Sequence, residues 1–391
     1  MQRKPFGVPA MPQLRLGHRM KWGSHGAVFC TVIMLILLLY YISHHRGPAR
    51  VTSTKNVENT EEASPAPSKT LLMKEDIRTL RIFETHQLTK SINNVFFLET
   101  SCASNREQLD LRRPILKPRQ ACAIYSTASH NPKRHVILVF TCPLLQNYYE
   151  ESPAYVKAVL DLPNFSMALV NLNELYERSN LSMFSKGALH EAAYPVEHNA
   201  DIIRILLIYL FGGTYLDLDF VSTRSLDDLG TNYIAAELES AVATGAFNFE
   251  AKHPYLKEFL KEMYQSYNPK EWNSIGPVLA TSVLKKFCGL TQYDSTHFTT
   301  IGHIARCGIT VHSDQVFYPI RYWDWKLYMD PNNVIEELIK NNDFFTNKTY
   351  AFHVWNKNSA STPINVGSNQ PYGILADRNC KPIYRQCGDT F

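Results

Sequence analysis

The sequence lacks several motifs that would assign it at once to a common class of protein. It has no GxGxxG motif after its first predicted strand, which removes the main signal for a dinucleotide-binding domain. It has no CxxC pair and no Cys/His cluster with the spacing of a zinc site. The net charge is only +4 for 391 residues, and the basic residues do not gather with aromatic ones, which argues against a nucleic-acid partner.

One hydrophobic run is long enough to cross a membrane. Residues 27–43 (AVFCTVIMLILLLYYIS) carry no charge, and a helix of this length reaches across a hydrocarbon core. Residues 1–26 are basic and contain no acidic residue, and no small-residue cleavage site ends the run, so a cleaved signal peptide is disfavoured. We therefore predict a single-pass signal anchor, with residues 1–26 in the cytosol and the rest of the chain in the lumen.

The segment after this anchor has the composition of a stem. It is rich in Ser, Thr, Pro and Glu and has few large apolar residues, so it cannot bury enough surface to fold alone. We assign residues 44–90 to the stem and residues 91–391 to the main lumenal domain. In a lumenal domain, three Asn-x-Ser/Thr sequons become candidate glycosylation sites: Asn164, Asn180 and Asn347.

Seven of the eight cysteines follow the hydrophobic run and would lie in an oxidising compartment. Structural disulfides are therefore preferred over a metal site. Close spacing favours three pairs and leaves Cys142 over, although spacing alone does not determine connectivity. The candidate pairs are Cys102 with Cys122, Cys288 with Cys307, and Cys380 with Cys387.

The lumenal part alternates predicted strands and helices. Short apolar runs rich in β-branched residues predict strands at residues 94–100, 135–140 and 167–173. Helices are predicted at residues 122–132 and 199–210. Strand–helix–strand units imply parallel strands with right-handed crossovers, so the expected fold class is α/β with a mostly parallel sheet and flanking helices.

Two aspartates follow an apolar strand in the segment TYLDLDF. Asp217 and Asp219 flank Leu218 at the point where a parallel sheet presents its ligand-binding residues. A lone Asp-x-Asp is more often a solvated turn, but an unpaired acid directly after a long apolar run would be costly. Carboxylate oxygens are preferred ligands of Mg²⁺ and Mn²⁺, so the pair predicts a divalent metal site that can also bind phosphate.

Upstream of this pair, Asp201 and Arg204 lie one helical turn apart on the same helix face. They could form an ordinary surface ion pair. Alternatively, the turn at Gly212 and Gly213 could fold the helix back beside the two aspartates. Arg204 could then bind phosphate or sugar, and Asp201 could accept hydrogen bonds from sugar hydroxyls.

The segment DIIRILLIYLFGGTYLDLDF resembles the D-x-x-R…GG-x-Y-x-D-x-D segment of the Golgi α1,4-galactosyl- and α1,4-N-acetylglucosaminyltransferases. It is also similar to yeast initiating mannosyltransferases and clostridial glucosylating toxins. The stretches NVFFLETS, CAIYSTASHNP, TGAFNFEAKHPYL, FYPIRYWDWKLY and AFHVWNKNS resemble the lactosylceramide α1,4-galactosyltransferase family in the same order. The residues ETSC at positions 99–102 resemble the corresponding residues of the insect members, which tend to use N-acetylgalactosamine as the donor sugar.

The resemblance implies a GT-A fold, a UDP-sugar donor, Mn²⁺ as cofactor and retention of the anomeric configuration. It implies that Asp217 and Asp219 are the catalytic residues that hold the metal, with His353 as a further ligand, and that Asp201 and Arg204 bind the donor sugar. The remaining donor-binding residues that it implies are Phe97, Thr100 and Ser101 beside the uridine, and His353, Trp355 and Lys357 in a loop over the diphosphate. His353 could equally belong to a packed edge strand.

The expected activity is therefore transfer of galactose or N-acetylgalactosamine to a glycolipid by a membrane-anchored Golgi enzyme. An α1,4-N-acetylglucosaminyltransferase acting on O-glycans, a catalytically inactive membrane-anchored lectin and a purely structural ectodomain are the alternatives. Leu218 and the stretch WNSIGP depart from the vertebrate galactosyltransferase pattern, which leaves the donor sugar open. No carboxylate stands out as a nucleophile, and the candidates by chemistry alone are Glu237, Glu239 and Asp324.

Overall fold

A computed structural model describes residues 82–391, except for residues 101–115, 142–147, 180, 182, 185–188, 190, 273 and 333–347. The predicted membrane anchor and most of the predicted stem lie outside the described residues. So do five residues singled out above: Ser101, Cys102, Cys142, Asn180 and Asn347. No helix within the described ranges is both long and apolar enough to cross a bilayer.

Eleven strands occur in the described part of the chain. They are β1 (Ile82–Glu84), β2 (Asn94–Glu99), β3 (His135–Phe140), β4 (Phe165–Leu169), β5 (Gly213–Leu216), β6 (Phe220–Ser222), β7 (Tyr233–Leu238), β8 (Ala241–Phe249), β9 (Gly302–Ile304), β10 (Ile309–His312) and β11 (Ala351–His353).

The α-helices of this part are α1 (Pro118–His130), α2 (Tyr148–Glu151), α3 (Ala154–Leu160), α4 (Leu172–Glu177), α5 (Pro195–Phe211), α6 (Pro254–Ser266), α7 (Pro277–Phe287), α8 (Asp314–Phe317), α9 (Asn356–Ser359), α10 (Pro371–Asn379) and α11 (Lys381–Tyr384). Short 3-10 helices span Thr85–Gln87, Leu226–Leu229, Asp294–Thr296 and Tyr322–Tyr328.

Nine strands form one mixed sheet in the order β1-β4-β3-β2-β5-β8-β7-β10-β9. The five strands from β1 to β5 in that order are mutually parallel, and β7 pairs in parallel with β10. Strands β8 and β9 are antiparallel to their neighbours. The prediction of a mostly parallel sheet with flanking helices is confirmed. Strand β1 lies within the segment assigned to the stem, and its pairing with β4 makes it part of this sheet.

Each face of the sheet is covered by a hydrophobic core. Along β2, Val95 and Phe97 belong to one cluster, whereas Phe96 and Leu98 belong to the other. Side chains alternate between the two faces of a strand, so the two clusters lie on opposite sides of the sheet. A strand buried on both sides must be apolar at nearly every position, which explains the continuous run VFFL.

Helix α5 leads directly into strand β5 through two glycines. The helix begins with Pro195 at its first turn and ends at Phe211. The next residue, Gly212, has a φ of 69°, which lies in the left-handed region that favours glycine. A β-carbon on Gly213 would lie 2.4 Å from the carbonyl oxygen of Asn94. The close approach of β5 to β2 therefore requires glycine at this position, and it sets the end of β5 beside helix α5.

A disulfide joins Cys122 to Cys380 across 258 residues, and a second joins Cys288 to Cys307. The second pair was predicted correctly. The predicted pairings of Cys102 with Cys122 and of Cys380 with Cys387 are wrong, because helices α1 and α10 pack together and bring Cys122 to Cys380. Cys387 is a free thiol, and partial burial raises its pKa to about 11.

The sequon asparagine Asn164 is held in a turn before β4. Its side-chain amide nitrogen donates to the carbonyl oxygens of Ala128, Asn131 and Arg134 at 3.0–3.1 Å. A glycan attached to this nitrogen would have to replace these hydrogen bonds. The environment therefore disfavours Asn164 as a glycosylation site, in contrast to what the sequon alone predicts.

Candidate active site

The two aspartates predicted to bind a metal lie in the short turn that joins β5 to β6. The backbone nitrogen of Asp217 donates to the carbonyl oxygen of Gly245 on β8 at 2.9 Å. The carbonyl oxygen of Asp219 accepts from the backbone nitrogen of Val354 at 2.9 Å, and its carboxylate accepts from the backbone nitrogen of Asn356 at 2.9 Å. The turn is therefore fixed by both the main sheet and the carboxyl-terminal segment.

Antiparallel pairing of β11 with β6 brings His353 opposite Phe220, next to this turn. The Nε2 atom of His353 lies 3.0 Å from the Oδ1 atom of Asp219 and 3.9 Å from the Oδ2 atom of Asp217. One ligand atom from each of the three residues lies within 4.8 Å of the others. The structure thus assembles two carboxylates and one imidazole from segments more than a hundred residues apart.

The electrostatics of this cluster favour a positive charge. Burial alone would lower the pKa of His353, but the charges and hydrogen bonds of Asp219 and Asp217 raise it to about 9. Burial alone would raise the pKa of Asp219, but His353 and the backbone N–H of Asn356 hold it below its ordinary value. A cation between the carboxylates would be stabilised in the same way as the imidazolium.

The donor set fits a divalent cation. Two carboxylate oxygens and one imidazole nitrogen are ligands that Mn²⁺ and similar ions accept, and three protein ligands leave positions for phosphate oxygens. The Nδ1 atom of His353 and the hydroxyl of Tyr318 are buried and have no hydrogen-bond partner among the described residues. Because Gly245 has no side chain, space remains beside Asp217 Oδ2 and the Tyr318 hydroxyl.

Arg204 connects this cluster to helix α5, as the predicted fold-back at the two glycines requires. Its Nη1 atom lies 3.3 Å from Asp217 Oδ1, and its Nη2 atom lies 3.2 Å from Asp201 Oδ1. The guanidinium also donates to the carbonyl oxygen of Thr244 and lies over the ring of Tyr215. Burial alone would lower the pKa of Arg204, but these carboxylates raise it above its ordinary value, so Arg204 stays charged.

Asp201 is mostly buried at the same site. Burial raises its pKa, and the neighbouring Arg204 opposes that shift. A β-carbon on Gly276 would lie 3.3 Å from Asp201 Oδ2, so the Ile275–Gly276–Pro277 backbone borders this carboxylate. The end of the stretch WNSIGP, whose sequence departs from the vertebrate galactosyltransferase pattern, therefore lies beside the residue predicted to bind the donor sugar.

The two other residues predicted in the carboxyl-terminal loop lie in different places. Trp355 meets His353 edge to face, with ring centroids 4.1 Å apart and an interplanar angle of 66°, and its indole nitrogen donates to the carbonyl oxygen of Ile320 at 2.8 Å. Lys357 instead places its Nζ atom 2.9 Å from the centre of the Trp272 ring and 3.4 Å from Glu197. Lys357 thus links the loop to the start of α5 and contacts neither aspartate.

The residues predicted beside the uridine are at the end of β2. Phe97 is completely buried in the hydrophobic core, and Thr100 is buried as well. Ser101 lies outside the described residues. A uridine-binding role for Phe97, Thr100 and Ser101 therefore stays a prediction.

Three residues of the site were not singled out from the sequence. The hydroxyl of Tyr215 donates to Asp217 Oδ1 at 2.8 Å. Residues two positions apart in extended chain lie on the same face, so the position of Tyr215 two residues before Asp217 could have indicated this contact. Gly245 and Tyr318 border the same carboxylate from distant parts of the chain. No local pattern indicates either of them.

Two family models match the chain. Residues 117–235 match the glycosyltransferase sugar-binding region containing the DXD motif, and residues 248–387 match the alpha 1,4-glycosyltransferase conserved region. The first match includes Asp201, Arg204, Asp217 and Asp219, and the second includes His353. Both halves of the site described above therefore lie in matched regions.

Two individual relatives agree with these matches, and one solved structure is distantly similar. Lactosylceramide 4-alpha-galactosyltransferase of Mus musculus is 31% identical over 294 residues, which cover 75% of each chain. Human alpha-1,4-N-acetylglucosaminyltransferase is 25% identical over a match that covers 78% of this chain and 84% of the human enzyme. The solved apo form of the glycosyltransferase GlyE of Streptococcus pneumoniae is 12% identical, with a TM-score of 0.39 over 76% of this chain and 63% of GlyE. The chain therefore belongs to the α1,4-glycosyltransferase family and is a UDP-sugar-dependent glycosyltransferase.

Proposed function

We propose that this protein is a retaining α1,4-glycosyltransferase of the GT-A fold that transfers galactose or N-acetylgalactosamine from a UDP-sugar to a glycolipid. The observation that carries the proposal is the meeting of the Asp217–Asp219–His353 cluster with the Arg204–Asp201 pair. The cluster offers ligands for a divalent cation beside a diphosphate. The pair offers a guanidinium for phosphate and a carboxylate for sugar hydroxyls.

The chemistry of transfer explains this combination. Breaking the bond between sugar C1 and the diphosphate develops negative charge on the leaving group. Asp217, Asp219 and His353 would hold Mn²⁺, which when bound supplies a Lewis acid at the diphosphate. Arg204 is already charged and fixed by two carboxylates, so it can stabilise the same charge without reorganisation.

The donor sugar would lie on the Asp201 side of Arg204. Asp201 is one helical turn from Arg204 and is bordered by the backbone of Gly276, so it can select for a hydroxyl at one position of the sugar. Glu237 is one of the three carboxylates considered as nucleophiles. Burial raises the pKa of Glu237, and the charge of His353 opposes that shift. No geometry in the described residues identifies Glu237 as a nucleophile, so the proposal includes no covalent intermediate.

The location that fits this activity is the Golgi membrane, with a single-pass type II anchor at residues 27–43. Two disulfides in the described domain require an oxidising compartment, which supports a lumenal orientation. Protease treatment of sealed microsomes tests the orientation. Only a short amino-terminal tail should be digested without detergent, and digestion of the bulk of the chain would contradict it.

The activity itself is tested with a panel of donors and acceptors. The full-length protein in membranes is incubated with Mn²⁺, with UDP-galactose, UDP-N-acetylgalactosamine or UDP-N-acetylglucosamine, and with neutral glycolipids or an O-glycan as acceptor. The expected product carries a new α1,4-linked galactose or N-acetylgalactosamine, which NMR of the product identifies. The Asp217→Asn variant is the control for contaminating activity.

Other outcomes of this panel point to the alternatives. Transfer of N-acetylglucosamine to an O-glycan would favour the activity named for the human relative that is 25% identical. Metal-dependent UDP binding without hydrolysis or transfer would favour an inactive lectin. Absence of UDP binding would overturn the proposal.

A further inference from the structure

A series of aromatic rings leads from the metal cluster to the protein surface. Trp355 contacts His353 edge to face. The ring centroid of Trp355 lies 6.3 Å from that of Tyr322, and the Tyr322 centroid lies 4.9 Å from that of Trp323. Exposure rises along this series, from a buried His353 to Tyr322 at 48% and Trp323 at 50%. Tyr322 and Trp323, called the aromatic pair below, thus form an exposed apolar surface continuous with the active site.

The aromatic pair is exposed on a helix that is fixed to the hydrophobic core. Both residues begin the 3-10 helix Tyr322–Tyr328, and the end of that helix anchors it, because Tyr328 is completely buried in the core. Scattered exposed aromatic residues are ordinary at a protein surface. Two adjacent exposed rings in contact with active-site residues are more typical of a binding site.

Charged groups of both signs border the aromatic pair. The guanidinium of Arg321 lies 5.6 Å from the Trp323 ring centroid and 3.8 Å from the carboxylate of Glu239, which is 69% exposed. The same Nη2 atom of Arg321 also lies 3.7 Å from the carboxylate of Asp314. Asp324, next to the pair, is also exposed. Two of the carboxylates considered as nucleophiles, Glu239 and Asp324, therefore lie at this surface.

This combination matches the chemistry of a pyranose ring. One face of a neutral sugar is apolar and packs on an aromatic ring, while its hydroxyls point outward and bond to carboxylates and guanidinium groups. A bilayer surface is the other ligand that Trp, Tyr and Arg suggest. Exposed carboxylates beside the aromatic pair disfavour contact with lipid, since a charged group loses its hydration at an apolar contact.

We propose that Tyr322 and Trp323 form an acceptor subsite, which binds a sugar of the acceptor glycan by stacking, with Arg321 and Glu239 bonding to its hydroxyls. The inference rests on the proposed function, because the acceptor is taken to be a neutral glycan. The sugar bound by the aromatic pair would lie beyond the residue that receives the donor sugar, since Trp355 separates the pair from the metal cluster. Trp323 would then be a specificity-determining residue for the acceptor.

The test compares Trp323→Ala, Trp323→Phe and a matched control, Tyr264→Ala, which removes another exposed aromatic side chain from helix α6. Full-length protein in detergent is titrated with water-soluble neutral disaccharides, lactose among them, and binding is measured by saturation-transfer NMR. Transfer is then measured with the same sugars and with lactosylceramide in phosphatidylcholine vesicles. Hydrolysis of the UDP-sugar without acceptor reports on the donor site.

Trp323→Ala is expected to raise the acceptor KM roughly tenfold for soluble and vesicle-embedded acceptors alike, in line with the usual contribution of one aromatic contact. Donor KM and hydrolysis should stay unchanged, Trp323→Phe should recover much of the loss, and Tyr264→Ala should have no effect. An unchanged acceptor KM would overturn the proposal, and a change confined to vesicles would identify a membrane contact in its place. Disaccharide binding that depends on Trp323, in a protein without transfer activity, would refute the proposed function but support the subsite.

Discussion

Gly245 and Asp217 approach so closely that a β-carbon on Gly245 would lie 2.7 Å from the Oδ2 atom of Asp217. The same carbon would lie 2.9 Å from the hydroxyl of Tyr318. The backbone carbonyl of Gly245 also accepts the hydrogen bond from the backbone nitrogen of Asp217. Strand β8 therefore fixes the position of the Asp217 backbone, and the absence of a side chain at Gly245 leaves room for the Asp217 carboxylate.

The first prediction follows from this contact. Gly245→Ala should displace the Asp217 carboxylate and lower transfer by at least ~10-fold, while costing about 1–3 kcal/mol of stability through overpacking. Gly230→Ala is the control, because no atom lies within 4 Å of its added carbon although its φ of 75° makes the change strained. Transfer rate and melting temperature are measured for both variants. Equal activity losses in the two would refute a specific role for Gly245.

The second prediction separates the roles of Asp201 and Arg204. Asp201→Asn should mainly impair use of the correct donor sugar, because the carboxylate accepts sugar hydroxyls. Arg204→Lys should impair all UDP-sugars, since one ammonium cannot maintain contacts to Asp201 and Asp217 at once. Transfer from three UDP-sugars, together with metal-dependent UDP binding, measures the difference.

The same two variants test the alternative interpretation. The pair is not at the surface, because the Arg204 and Asp201 side chains are only 13% and 15% exposed. If the two residues formed only a structural ion pair, each change would cost about 3–5 kcal/mol of stability and leave transfer by the folded protein nearly intact. Normal transfer by both variants would remove the pair from the donor site.

The third prediction concerns the disulfide between Cys122 and Cys380. Loss of this long-range link through Cys122→Ser should lower the free energy of unfolding by about 2–5 kcal/mol, because it releases a large loop in the unfolded chain. Cys387→Ser is the matched control, since Cys387 is a free thiol. Thermal unfolding of both variants checks this prediction. Greater destabilisation by Cys387→Ser would support the pairing first expected from spacing.

The fourth prediction is that Asn164 carries no glycan. Asn164→Gln should leave the glycosidase-sensitive mass unchanged and cost about 1–3 kcal/mol of stability, because three backbone carbonyls lose their donor. Asn180→Gln and Asn347→Gln serve as comparisons at the two other sequons. Loss of a glycan in the Asn164 variant would contradict the prediction.

Much of the site could be predicted because it comes from one continuous segment. Asp201, Arg204, Asp217 and Asp219 are joined by a single helix, a two-glycine turn and a short strand, so local spacing determines their approximate arrangement. The strands β2 and β3 were predicted from apolar runs for the same reason, since burial on both faces of the sheet imposes a recognisable composition.

The remaining features depend on contacts between distant segments. Gly245 reaches Asp217 through the antiparallel register of β5 with β8, in which Leu216 faces Ala246. Cys122 meets Cys380 because α1 packs against α10, whereas the sequence offered nearer partners. The sequon at Asn164 matches its motif fully, and only the surrounding carbonyl oxygens distinguish it from a usable site.

The central claim is that Asp217 and Asp219 hold a divalent cation that the reaction requires. The most direct measurement is the transfer rate of Asp217→Asn and Asp219→Asn at limiting Mn²⁺, with metal-dependent UDP binding measured in parallel. Asp228→Asn, a change at an exposed acid nearby, is the control. We expect each of the two site variants to lose at least ~100-fold in turnover, on the order of 3 kcal/mol, and to lose metal-dependent UDP binding while melting near the wild-type temperature. Turnover close to wild type in either variant at limiting metal would contradict the account.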